Sequence, residues 1–202
     1  MLGRIISGLL GRLRRRAEDP EAYRIPLDDA NHILATFGIT RSTSTYERWV
    51  KEGEGDGKVD GFDLKDFDSV LFDSPYIITV DWRSPLEAGL GYAADALGLL
   101  GVPLRVELEE DADGGDTGRL SCGDGPPVVV SYGPRDDDFD HVVRGVQQVV
   151  PSGIEFRSSR WNHGSDTWCY AVLPGDEWAD LERRSPKVIE YFFSPPSTGP
   201  NA

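Results

Sequence analysis

From Ser84 to Leu173 the apolar residues switch repeatedly between helical and strand spacing, and this constrains the fold more than any other feature of the chain. In SPLEAGLGYAADALGLLG, Ser84 stands at an N-cap position, Pro85 at the first helical position, and Gly101 marks the stop. VPLRVELEE then sets Leu104, Val106 and Leu108 against Arg105, Glu107 and Glu109, the alternation of a half-exposed strand. After a Gly/Asp-rich loop, PPVVVSY reads as a second strand. RDDDFDHVVRGVQQVV places Phe139, Val142, Val143, Val146, Val149 and Val150 on the inner side of a helix. IEFRSSRW and TWCYAVL form a further strand pair, and PGDEWADLERR a closing helix.

Helix, strand, strand thus recurs from Ser84 to Tyr132 and from Arg135 to Leu173. The pattern predicts an α+β fold: a mainly antiparallel sheet with helices packed on one face, built from two α-β-β repeats. Upstream, LDDANHILATFG is helical with Gly38 as its stop, and Ser44 with Glu47 makes a capping box. FDLKDFDSVLF is read as a helix and YIITVDW as a buried strand, while KVIEYFF fits either a strand or a helical end. In MLGRIISGLLGRLRRR, Leu2, Ile5, Ile6, Leu9, Leu10 and Leu13 share one helical face beside five arginines. The predicted organisation is therefore residues 1–24 as a basic amphipathic helix and linker, 25–193 as a single acidic α+β domain, and 194–202 as a disordered tail.

Charge narrows the function classes. Residues 1–16 contain five of the 21 basic residues and no acid, so the remaining chain carries 16 basic against 35 acidic residues, a net of -19. Such a surface repels phosphate backbones, which argues against a nucleic-acid partner, and attracts a basic protein. The basic N-terminal helix could instead lie on an anionic membrane, so membrane contact through residues 1–16 is a separate expectation. No run of apolar residues is long enough to span a bilayer, and the arginines follow the apolar positions rather than lead them as in a secretion signal. Two cysteines, Cys122 and Cys169, with no metal spacing point to a reducing, cytoplasmic compartment.

Three stretches contain groups that could bind or react. EGEGDGKVDGFD resembles an EF-hand loop, with Glu52, Glu54, Asp56, the Lys58 carbonyl, Asp60 and Asp63 at the ligand places and Gly57 at the sixth. Glu at the first and third places, and Asp63 at the last, have the wrong side-chain lengths for that geometry. The residues before the loop also put Tyr46, Trp49 and Val50 off the face an entering helix would bury. The same composition also serves as a solvated acidic turn.

RDDDFDH gathers Asp136, Asp137 and Asp138, with Asp140, in a helical first turn. Acids there suit the helix dipole without any ligand. RWNHGSDTW presents Arg160, Trp161 and His163 in a hairpin turn, and His163 with Asp166 is the nearest approach to an acid–base pair. No GxSxG, P-loop or HExxH pattern occurs, so no catalytic residue is assigned and no cofactor beyond calcium is expected. Trp and Arg are enriched at protein interfaces, which makes Asp136, Asp137, Asp138, Arg160, Trp161 and His163 the candidate partner-binding residues. Cys169 is expected as a small buried strand residue and Trp178 as core.

The segment SDTWCYAVLPGDEWADLE resembles small bacterial α+β proteins found among the immunity proteins of polymorphic-toxin systems. That resemblance implies a stoichiometric partner, a toxin, and carries over no catalytic residue. For the loop at 52–63, calorimetric titration with calcium is expected to show no binding tighter than about millimolar, because affinity follows ligand reach and rigidity. Micromolar binding lost on Asp56→Asn would overturn this.

Overall fold

A computed structural model describes residues 23–39, 61–81, 84–110, 116–132, 139–160 and 167–194. The expected basic helix at 1–16, the Ser44–Glu47 capping box, the loop residues 52–60 and the tail beyond Ser194 lie outside them. The chain divides into two compact units, Met1–Ser74 and Pro75–Ala202, with the boundary inside the segment 25–193 that the sequence reading treats as one domain.

In Met1–Ser74, two short strands each lead straight into a helix. Strand β1 (Arg24–Pro26) pairs antiparallel with β2 (Gly61–Asp63), placing Ile25 opposite Phe62. Helix α1 (Leu27–Thr36) follows β1 and α2 (Leu64–Leu71) follows β2. Arg24, placed at the end of the expected linker, is therefore strand together with Ile25 and Pro26; three residues with a proline carry no alternation to detect. The helices bury Ala30, Ile33, Leu34, Phe67, Val70 and Leu71. Gly38 ends α1 at φ 70°, a left-handed conformation that suits glycine. The Ser74 hydroxyl donates to the Phe37 carbonyl at 2.6 Å, tying the ends of the two helices together.

The described residues of Pro75–Ala202 form two three-stranded antiparallel sheets. Strands β3 (Ile77–Asp81), β7 (Ile154–Ser158) and β8 (Thr167–Pro174) form one sheet, in the order β3–β8–β7. Strands β4 (Leu104–Glu110), β5 (Asp116–Cys122) and β6 (Val128–Tyr132) form the other, in that order. Helix α3 (Leu86–Leu99) joins β3 to β4, and α4 (Asp140–Val149) joins β6 to β7. Leu86, Leu90 and Leu97 of α3, Val142 and Val146 of α4, and inward residues of both sheets make one apolar core. The α+β class and the antiparallel pairing are what the periodicity predicts, but the described strands of this unit form two sheets rather than the one expected.

Several details depart from that reading. Residues Asp116–Cys122 were read as part of a loop but form the middle strand β5, so the first repeat is α-β-β-β and the two copies do not match. The reason is tertiary: a Cβ at Gly118 would stand 3.1 Å from Leu90 Cδ1 and 3.3 Å from Val130 Cγ2, so helix packing demands a residue that strands otherwise avoid. Ser84 does not cap α3; the helix starts at Leu86 with Pro85 before it. The Ser84 N–H instead bonds the Asp81 carbonyl at 2.8 Å. KVIEYFF resolves as helix α6 (Pro186–Phe192), directly after α5 (Gly175–Arg184).

Helices also cover both faces of the β3–β8–β7 sheet, not one. Ile78, Phe156, Tyr170 and Val172 face the α3–α4 core. Glu155 and Arg157 point to the opposite face, where the Arg157 guanidinium lies 4.3 Å from the Trp178 ring of α5. Ala171 and Leu173 on that second face are also buried.

Helix α4 sits close enough to β6 that a methyl group at Gly145 would overlap Val130 Cγ1. Gly145→Ala is expected to destabilise the protein by about 1–3 kcal/mol through overpacking, and Val130→Ala in the same chain to recover most of that loss. Chemical denaturation of the single and double variants measures both; an additive double variant would show that the two side chains do not compete for this space.

Candidate interaction surface

The sequence-derived partner residues flank two stretches of chain. Asp136, Asp137 and Asp138 follow β6, and Trp161 and His163 precede β8; all five lie outside the described residues, as do Glu52, Glu54, Asp56 and Asp60 of the calcium-type loop. Two of the proposed site residues are described. Arg160 is exposed just beyond β7, and its Nε–H donates to the Phe193 carbonyl at 3.3 Å, where α6 ends. A cation at a helix C-terminus is favoured by the dipole, so Arg160 has a structural contact as well as an exposed charge. Asp63 closes β2 with its carboxylate 3.7 Å from Arg24 Nε, both half exposed.

The chain ends bordering the two outlying stretches are tied together. Helix α4 begins at Asp140, the acid in its described first turn, and that carboxylate accepts a short hydrogen bond from the Tyr170 hydroxyl of β8. Phe139, just before the helix, meets the Tyr132 ring edge-on at 5.9 Å and the Tyr170 ring at 6.2 Å. His141 stacks on Tyr132, and its Nε2–H donates to the Ser131 carbonyl at 2.6 Å. Sequence reasoning gave His141 no role, because a partner ten residues away on a strand edge leaves no local signal. Tyr132 and Phe139, the described residues on either side of 133–138, thus touch each other, and Phe139 also meets Tyr170 on β8.

Around this frame the described surface is acidic. Glu87 and Asp95 on α3, Glu107 and Glu109 on β4, and Asp176 and Glu177 on α5 are all exposed. Among the described residues no three His, Cys, Asp or Glu side chains are placed to hold a metal ion. Nor is any described helix long and apolar enough to cross a membrane. Cys169, expected to be buried, is only half buried; its sulfur lies 3.6 Å from the Thr79 hydroxyl across the β3–β8 pair, and it forms no disulfide with Cys122. Compared with known proteins, the chain matches no family model, no curated protein and no solved structure.

The fold moves the titration of Asp68 on α2. Half burial pushes its carboxyl above the ordinary value of 3.8, because desolvation penalises the charged form. Between 3.8 and the raised value the folded state holds the proton more tightly than the unfolded one, so stability falls as pH rises through that window. Asp68→Asn is expected to raise stability at neutral pH, with the advantage disappearing below 3.8. Denaturation midpoints of the two proteins across the acid range check this, and a constant difference at all pH values would contradict it.

Proposed function

We propose that the protein is a cytoplasmic bacterial immunity protein of the antitoxin kind, which binds a more basic toxin one to one and blocks it. The observation that carries this reading is the net charge of -19 on residues 17–202, where 16 basic residues face 35 acidic ones. Charge of one sign over a surface raises the encounter rate with an oppositely charged partner and discourages other partners. The acidic surface would occlude the toxin's substrate site or mimic an anionic substrate. Asp136, Asp137 and Asp138 supply the steering charge in this reading, and Arg160, Trp161 and His163 supply the anchoring contacts. The exposed carboxylates on α3, β4 and α5 support it, because they extend the negative surface over the described unit.

In this reading, mixing the purified protein with a basic toxin encoded by a neighbouring gene is expected to give a one-to-one complex and loss of toxin activity. Replacing Asp136, Asp137 and Asp138 together by Asn is expected to slow association about tenfold at low salt and much less at high salt. Absence of a stoichiometric complex, or association indifferent to salt, would sink the proposal.

A further inference from the structure

Antiparallel sheets expose main-chain donors and acceptors along their outermost strands, and such an edge accepts another strand unless it is blocked. Among the described residues of Pro75–Ala202 the strands at the sheet edges are β3, β4, β6 and β7. Helix α4 occupies two of them with side chains. His141 donates to the Ser131 carbonyl of β6. The Gln147 amide donates to the Ile154 carbonyl of β7 at 2.7 Å and accepts from the Phe156 N–H at 3.0 Å, as a neighbouring strand would. In β3 the buried Ile78 and Val80 alternate with the exposed Thr79 and Asp81.

Strand β4 is different. Glu107, Leu108 and Glu109 are exposed in succession, so its far half is open on both faces. Leu108 lies in the inward row, opposite Gly118 and two residues after Val106, yet remains 39% exposed. The pairing with β5 runs from Leu104 to Glu110, and the strand contains neither proline nor lysine. Four of its seven residues are charged, Arg105 with Glu107, Glu109 and Glu110, so charge is the device this strand carries at its edge, and the exposed Glu107 carboxylate also lies 3.9 Å from Arg119 Nε on β5.

We propose that the outer edge of β4 is the docking site for the partner, which adds an extended basic strand antiparallel to Leu104–Glu110. This rests on the proposed function for the partner's charge and adds a main-chain contact on β4 to the side-chain contacts named there. Charge complementarity selects the occupant: cross-strand neighbours of opposite sign are favourable and like charges opposite each other are not. The incoming strand would carry basic residues facing Glu107 and Glu109, an acid facing Arg105, and an aliphatic residue extending the apolar cover over Leu108. Main-chain hydrogen bonds then supply affinity and the alternating side chains supply selectivity.

A synthetic peptide with a Lys-Val-Lys-Val-Glu core, flanked by threonines, tests the edge directly on the full chain. Hydrogen exchange and amide chemical shifts are expected to show protection appearing along β4. Glu107→Lys with Glu109→Lys is expected to weaken binding about tenfold, and the milder Glu107→Gln with Glu109→Gln to weaken it less while leaving the fold intact. The same peptide with proline in place of its central lysine is expected not to bind. Equal binding of the proline peptide, protection away from β4, or a second copy of the chain pairing along β4 would each overturn the proposal. A toxin complex that forms unchanged with the charge-reversed protein would overturn this docking mode and leave the immunity reading standing. Peptide binding on β4 without any toxin complex would do the reverse.

Discussion

The close approach of α4 to β6 is the constraint on which Pro75–Ala202 depends. A three-stranded sheet has little independent stability unless a hydrophobic face is covered, and this unit contains two such sheets. Helix α4 covers both: Val142, Val143 and Val146 lie in the shared core, and Gly145 lets the helix backbone settle onto Val130. The same helix satisfies polar groups at its two flanks, through His141 on β6 and Gln147 on β7. The Gln147 bonds are partly buried, and a buried main-chain group left unpaired costs about 1–3 kcal/mol, so this side chain matters more than the exposed His141 contact. A helix held this firmly also fixes where the Asp136–Asp138 segment must return to the fold.

The second face of the β3–β8–β7 sheet is held by a different device. The Arg157 side chain, 6% exposed, bonds Glu182 at 2.6 Å and Glu155 at 3.2 Å while lying over the Trp178 ring. Trp178 in turn donates its Nε1–H to the Glu155 carbonyl at 3.2 Å. A buried guanidinium needs paired carboxylates to offset its desolvation, and here two carboxylates and an aromatic face share that task. Phe193 meets Trp178 edge-on at 5.3 Å, bringing the end of α6 against the same cluster. The result is a β8 covered on both sides, with Tyr170, Ala171, Val172 and Leu173 buried in succession.

These two packing arrangements leave an acidic exterior on a well-covered core. An interaction protein of the proposed kind benefits from that arrangement. A surface that changes little on binding loses less conformational entropy, so more of its contact energy appears as affinity. The edges follow the same logic. Side chains of α4 occupy β6 and β7, while β4 offers its main chain together with Glu107 and Glu109. The acids Glu107 and Glu109 along this edge favour a basic strand opposite them.

The sequence by itself determined the α+β class, the helices around Leu34, Leu90 and Val146, the alternation of β4 and the acidic surface, because periodicity and charge are local properties. It also placed the helix stops at Gly38 and Gly101, both at positive φ. Tertiary structure alone decided that Asp116–Cys122 is a strand, since Gly118 answers to Leu90 and Val130 rather than to strand propensity. It alone decided that helices lie on both faces of one sheet, because a run such as Tyr170–Leu173 carries no period that says which side each residue faces. Among the candidate contacts, the alternation of β4 already marks Glu107 and Glu109 as exposed, but the place of Arg160 against the end of α6 depends on which elements find neighbours. That is settled by long-range pairing, which residue spacing does not encode.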